Sequence, residues 1–374
     1  MKYKIAVFPG DGVGPELINE GIKVIEKAAE LDKFEVEWAK HPHGAEHYAE
    51  TNEMLEEKTL KEIKSSCSAI YCGTFDNSLM EADKSISNLI KRYFDQFISL
   101  RPIKLLPSIE SPLSNKTHED INFDIIRENT EDFYIGAAGR AKNGKNRQKL
   151  EINKNACKIR FGLDIEAKGS EIAYQIGILS RKGCERVVRY AFQYAKNNNN
   201  KKLTFVDKAN LLDIYNFWRE SIERVAKEYP EIECEFSLVD AAVMNFIRQP
   251  ERYKVVVAPN MFGEILSNLG AVMQGGLAFA ARGNINPEGI SMFEPVHGSA
   301  AKLKGLGIIN PIATILAGAL MLDNIGQSKS CQLVIKAIEA VLKEEKTRTQ
   351  DLGGNNSTQE MADAIADKFT ELHD

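Results

Sequence analysis

The sequence predicts an α/β protein built on a largely parallel sheet covered by helices, and three observations carry that prediction. Short apolar runs alternate along the chain with segments whose apolar residues recur near every 3.6 positions. Each strand-like run closes on a glycine or on a cluster of polar and ionisable residues. The chain has 374 residues, room for two domains of average size.

The first strand is expected over residues 3–8, running into the turn Pro9-Gly10-Asp11-Gly12-Val13-Gly14-Pro15. Leu17, Ile18, Ile22, Val24 and Ile25 then mark one face of a helix. A second strand is expected over 68–72, ending at Gly73, with later ones at 124–126, 203–206 and 255–257. In open α/β sheets ligands gather outside the carboxyl ends of the strands, so the polar clusters there are where chemistry is sought. Residues 135–177 differ: they begin rich in Lys, Asn and Gly and then alternate, which predicts a protruding arm or hairpin. Asn197 to Asn200 is read as a solvated loop after a helix.

Composition narrows the function. Hydrophobic residues make up 43% and charged residues 27%, ordinary for a soluble enzyme. A net charge of -5 argues against general nucleic-acid binding, though one or two cations suffice for a cofactor phosphate. No apolar run reaches membrane-spanning length, and the N-terminus lacks the features of a signal peptide. The six cysteines lack CxxC spacing and read as reduced thiols, so a cytoplasmic location without membrane or nucleic-acid partners is expected.

Four clusters are candidates for chemistry. The Gly10–Pro15 turn lacks the GxGxxG spacing and, alone, reads first as a plain strand-to-helix connection. Lys91, Arg92, Arg101 and Arg127 lie near strand ends; arginines match carboxylates through paired hydrogen bonds, although each taken singly also suits a surface ion pair. Asp207, Asn210, Asp240, Glu264 and Asn268 supply oxygens suited to Mg²⁺ or Mn²⁺. Glu264 and Asn268 are four apart and would share one helix face, but an acid at a helix start equally serves the dipole. Glu294-Pro-Val-His-Gly-Ser-Ala-Ala-Lys302 and Asn310-Pro311 offer small residues that let backbone N–H groups approach a pyrophosphate.

In chain order these segments resemble the isocitrate and isopropylmalate dehydrogenase family, the β-decarboxylating dehydrogenases. The resemblance rests on Gly10-Asp-Gly-Val-Gly-Pro-Glu16, Leu100-Arg-Pro102, Arg127-Glu-Asn-Thr-Glu-Asp-Phe-Tyr134 and Arg181-Lys-Gly-Cys-Glu-Arg186. It continues through Val206-Asp-Lys-Ala-Asn210, Asn260-Met-Phe-Gly263, Phe293-Glu-Pro-Val-His-Gly-Ser299 and Asp351-Leu-Gly-Gly354. It implies a two-domain fold distinct from the Rossmann fold. Residues 1–102 with 275–374 would form a larger cofactor domain, and 103–274 a smaller one carrying the dimer interface and arm. It also implies a homodimer whose active sites take residues from both copies.

By motif position the resemblance makes Tyr134 the general acid that protonates the enol carbon and Lys208, from the second copy, a participant in deprotonating the hydroxyl. Ser85, Ser87, Lys91, Arg101 and Arg127 would bind the hydroxy acid. Asp240, Glu264 and Asn268 would hold the divalent cation, and Glu294, His297, Gly298, Ser299, Ala300, Lys302 and Asn310 the nicotinamide cofactor.

The chain departs from the family pattern at four of these positions. Glu264 and Asn268 stand where the family has Asp, which implies a weakened or shifted cation site. Lys91 replaces an arginine and loses its bidentate geometry. Lys302 replaces an acid that would accept ribose hydroxyls, favouring NADP with NAD as the alternative. Lys84, Ser85, Ser87 and Asn88 give a polar face where isopropylmalate enzymes are apolar, so isocitrate or a homologue leads. Ser291-Met-Phe-Glu-Pro-Val-His and Asp351-Leu-Gly-Gly instead resemble isopropylmalate, malate and tartrate relatives, which stand as alternatives beside a catalytically silent subunit.

Overall fold

A computed structural model describes residues 1–76 and 85–373; Lys84 lies outside them. The chain forms two compact units, Met1–Asn122 with Leu269–Asp374, and Phe123–Asn268.

The first unit opens with β1 (Lys2–Gly10), α1 (Gly14–Asp32), β2 (Glu35–Lys40), α2 (Ala45–Thr51), α3 (Glu57–Ser66), β3 (Ala69–Thr74), α4 (Ile86–Tyr93) and β4 (Ile98–Lys104). Helix α1 forms because Leu17, Ile18, Ile22, Val24 and Ile25 bury one face, with Pro15 in its first turn, where a missing N–H costs nothing. Strands β1, β2 and β3 pair in parallel, which fits their fully apolar β3 run.

The second unit contains β5 (Asn122–Glu128), β6 (Ala138–Ala141), β7 (Gly144–Asn153), β8 (Lys158–Ala167) and β9 (Ile172–Gln175). It continues with α5 (Arg181–Asn197), β10 (Lys202–Asp207), α6 (Ile214–Ala226), β11 (Glu233–Leu238), α7 (Val239–Arg248), β12 (Val255–Ala258) and α8 (Asn260–Met273). Strands β11, β10, β12 and β5 lie side by side, all parallel. The segment expected as an arm forms two antiparallel pairs, β6 with β9 and β7 with β8. In β7 and β8 exposed residues alternate with half-buried or buried ones along nearly the whole of each strand, so the pair has one open face and one partly covered face.

The chain then returns to the first unit with β13 (Ala281–Ile285), β14 (Met292–Pro295), α9 (Ile312–Asn324), α10 (Ser328–Glu344) and α11 (Thr358–His373). Strand β14 runs parallel to β3, while β13 runs antiparallel to both β14 and β4. Helices α1, α9, α10 and α11 bury Ile18, Ile25, Ile315, Val334, Ile338 and Ile365 in one apolar cluster. A second cluster, including Phe8, Leu60, Ile70, Ile86 and Ile90, seats α3 and α4. No helix of the described residues is long and apolar enough to cross a membrane. All six cysteines are free thiols.

Candidate active site

In the second unit, β5 delivers Arg127 as a buried side chain just before a tightly held loop. Its Nε donates to the Asn260 carbonyl at 2.9 Å and to Asn260 Oδ1 at 3.1 Å, and Nη2 donates to the same Oδ1 at 2.6 Å. Its Nη1 makes an ion pair with Glu264 of α8. This approach depends on Gly263: a Cβ there would lie 2.6 Å from Arg127 Cγ. The Tyr134 ring lies 5.9 Å from the guanidinium carbon and is exposed.

The loop from Glu128 to Tyr134 is fixed by its own acids. Glu128 accepts from the Thr130 N–H and hydroxyl at 2.8 and 2.6 Å, and from the Glu131 N–H at 2.8 Å. Burial, reinforced by the neighbouring Glu131 carboxylate, pushes Glu128 up to about 7. Glu131 accepts from the Ser180 N–H at 2.7 Å and its hydroxyl at 2.6 Å, and so holds the start of α5. Asp132 accepts from the Met261 N–H at 2.9 Å and the Tyr215 hydroxyl at 3.0 Å, while burial raises its pKa. These anchors leave Tyr134 projecting from a rigid base.

Lys208 follows the end of β10 and is ion-paired with Asp240 in the first turn of α7. The Lys208 ammonium holds the Asp240 carboxyl below its usual range. Asp207, one residue earlier, is fully buried and takes both Arg219 Nε at 2.7 Å and Nη2 at 2.9 Å. It therefore anchors Lys208 through a bidentate pair rather than facing a cation.

The oxygen donors expected for a divalent cation do not converge within the chain. Glu264 meets Arg127, Asp240 meets Lys208, and Asn268 is exposed. Among the described residues no group of three His, Cys, Asp or Glu is placed to hold a metal ion. The set expected from the sequence takes residues from two copies, and a single chain presents only part of it.

In the first unit, the turn after β1 is held from several sides. Asp11 is buried, and its carboxylate accepts from the N–H groups of Ala45, Glu46 and Asp76 at 3.1, 2.8 and 2.8 Å. Gly12 takes φ +60, and a Cβ there would lie 2.1 Å from the Ser299 carbonyl oxygen. The Val13 N–H donates to that oxygen at 2.9 Å. The Gly10–Pro15 turn thus supports the 297–300 loop.

Beside that loop is a cavity of about 630 Å³, lined by His297, Gly298, Ala300 and Asn310 among others. Ser299, Lys302 and Glu294 are not in its lining. His297 Nε2 is buried without a hydrogen-bond partner, and burial lowers the ring's pKa, so the imidazole favours its neutral form. Asn310 donates to Asp351 at 3.0 Å and accepts the Ile312 N–H at 3.0 Å at the start of α9. Lys302 is exposed on a single helical turn, Ala301–Leu303. An unpartnered buried nitrogen, small residues and a mostly apolar lining in which Asp351 is the one charged side chain fit a nicotinamide cofactor.

Glu294 lies within β14, where it accepts from Arg282 at 2.8 Å, Asn284 at 2.7 Å and the Ser87 hydroxyl at 3.5 Å. Burial opposes its charge, but Arg282 and Lys91 together hold its pKa below the usual range. The first turn of α4 therefore brings Ser87 to Glu294, with Lys91 in electrostatic reach. Ser85 is buried at the start of α4, and Arg101 is buried in β4 with Nε donating to Ser99 Oγ at 3.2 Å.

Sequence reasoning did not single out Asp11, Arg219 or Arg282. Asp11 was visible as the acid inside a glycine turn; Arg219 and Arg282 carried no local signal.

A family model for isocitrate/isopropylmalate dehydrogenase matches residues 4–365. The chain is 36% identical to a 3-isopropylmalate dehydrogenase of Thermobifida fusca, over 98% of both chains. It is 37% identical to a decarboxylating D-malate dehydrogenase of Escherichia coli, over 97% of both. The fold is similar to the crystal structure of isocitrate dehydrogenase from Methylococcus capsulatus, with TM-score 0.82, 32% identity and coverage of 98% of this chain and 99% of that one. With its parallel sheets, glycine turn and His297 loop in the family's order, this chain belongs to the isocitrate/isopropylmalate dehydrogenase family, the decarboxylating dehydrogenases.

Proposed function

We propose that this enzyme oxidises a 2-hydroxy di- or tricarboxylic acid with NAD(P)⁺ and releases the 3-carboxylate as carbon dioxide. Isocitrate or a close homologue is the leading substrate. The observation that carries this choice is helix α4, which buries Ser85 and Ser87 and sets Lys91 near Glu294, while Ile86 and Ile90 turn into the core. A further carboxylate would find a cation in Lys91 and polar neighbours in those hydroxyls, whereas an alkyl substituent would gain nothing from either. Arg101 and Arg127 would bind the remaining carboxylates. The D-malate name of the Escherichia coli relative favours a second reading, a smaller dicarboxylate. Parallel turnover of isocitrate, 3-isopropylmalate, D-malate and tartrate with each cofactor tests the choice; absence of isocitrate turnover overturns it.

His297, Gly298, Ala300 and Asn310 would hold the cofactor, with Ser299 and Glu294 supporting its site from behind. Bound there, the nicotinamide accepts the hydride from C2. Lys208, supplied by the second copy, takes part in removing the hydroxyl proton. Tyr134 returns a proton to the enol carbon after carbon dioxide leaves, a role suited to a phenol held on a fixed loop. Lys302, beside the cavity loop, is assigned to a 2′-phosphate and makes NADP the preferred form. Lys302→Ala is expected to raise KM for NADP about tenfold, one lost charge contact, while KM for NAD stays within about twofold. Equal effects on both cofactors would remove that assignment.

A homodimer belongs to the same reading. Met244 and Ile247 on α7, with Ile265 and Val272 on α8, are large apolar side chains exposed in the single chain. A second copy is the partner that would cover them. Light scattering on the purified protein is expected to give twice the chain mass.

A further inference from the structure

We propose that Glu264 acts as a built-in competitor of the substrate, occupying the Arg127 edge that a substrate carboxylate must reach. The proposal rests on the reading of Arg127 as a substrate-binding residue. Asn260 holds Nε and Nη2 of that guanidinium, and Glu264 meets Nη1. A carboxylate forming a charge-assisted contact at Nη1 must therefore displace one already there.

The local backbone explains why glutamate can do this. Helix α8 is pressed against the Arg127 stem at Gly263, so the next residue starts close to the guanidinium. An aspartate at 264 would be one methylene shorter. The pair is also asymmetric: the Arg127 side chain is 9% exposed and that of Glu264 is 30% exposed. The arginine is fixed, while the glutamate has a path to solvent when it is displaced.

The arrangement compensates a buried cation in the free enzyme and raises the threshold for anions. A monocarboxylate gains one contact at the expense of another, whereas a di- or tricarboxylate adds contacts elsewhere. Glu264 thereby acts as a specificity-determining residue toward the acid.

The test uses the full-length protein treated with chelator and titrated calorimetrically with D-malate as a dicarboxylate probe. Glu264→Gln is expected to bind at least tenfold more tightly than wild type, and Glu264→Asp to fall between them. Adding Arg127→Gln to the Glu264→Gln chain is expected to abolish the gain. Unchanged or weaker binding by Glu264→Gln, with Arg127→Gln still deleterious, overturns the competition while leaving Arg127 as a substrate contact. If Arg127→Gln alters binding in neither background, Arg127 is not the carboxylate site and the proposal falls with its premise. Thermal melting of each variant establishes that it is folded, and Glu264→Asp carries the comparison if the glutamine variant is not.

Discussion

The cavity beside His297 and the ionic cluster around Arg127 are prepared for ligands in different ways. The cavity is walled mostly by small and aliphatic residues, with a buried imidazole nitrogen that has no partner. The cluster instead satisfies its charges internally, Arg127 with Glu264 and Lys208 with Asp240. Such a wall can remain open because its one charged side chain, Asp351, already accepts from Asn310 and Thr349. A buried cation cannot, since desolvating it without a counter-ion costs several kcal/mol. On the proposed reading, the cofactor side is therefore shaped in advance, and the acid-binding side has to exchange partners.

The comparison breaks most readily at Tyr134. Tyr134→Phe is expected to lower kcat by about 10²- to 10⁴-fold, the usual contribution of a positioned proton donor, with little change in melting temperature. A variant retaining full turnover would move the general acid elsewhere. Beside the cavity loop, Gly12→Ala forces a left-handed alanine against the Ser299 carbonyl. It is expected to cost about 3 kcal/mol and to weaken cofactor binding, read by urea denaturation and fluorescence titration.

Glu128 tests the cluster through pH. Its pKa rises on folding from 4.5 to about 7, so between those values the folded state holds a proton that the unfolded state has lost. Stability from this group is intact below the lower value and falls as pH rises through the upper one. Glu128→Gln should therefore gain on the order of 2 kcal/mol at pH 8 relative to its effect at pH 4, measured by urea midpoints. A pH-independent difference would show that Glu128 titrates normally. Gly263→Ala is expected to cost about 2 kcal/mol by the same urea midpoints, because the added methyl meets the near end of the fixed Arg127 side chain.

The sequence made the frame legible where periodicity reports burial directly. Residues 203–206 and 255–257 lie inside β10 and β12, and the apolar positions chosen for the first helix are all buried. Tyr134 and Lys208 were located by motif alone. Partnership was not legible: no spacing distinguishes an acid that faces a cation from one that faces Arg127, as Glu264 does. Likewise Asp207 appeared among candidate metal donors, yet Arg219, twelve residues later, takes both its oxygens. Such pairings depend on where α6 and α8 fall over their sheet, information carried by tertiary packing rather than by local pattern.

The order of strands also constrains synthesis. Strand β14, near residue 295, separates β3 from β13, and β13 separates β14 from β4. A nascent chain that has already emitted β1 to β4 thus lacks the strands that join them into one sheet. The second unit, continuous from Phe123 to Asn268, leaves the ribosome before they arrive. A unit whose halves flank an uninterrupted insert completes its sheet only when its later half has been made, although β1, β2 and β3 can pair before then.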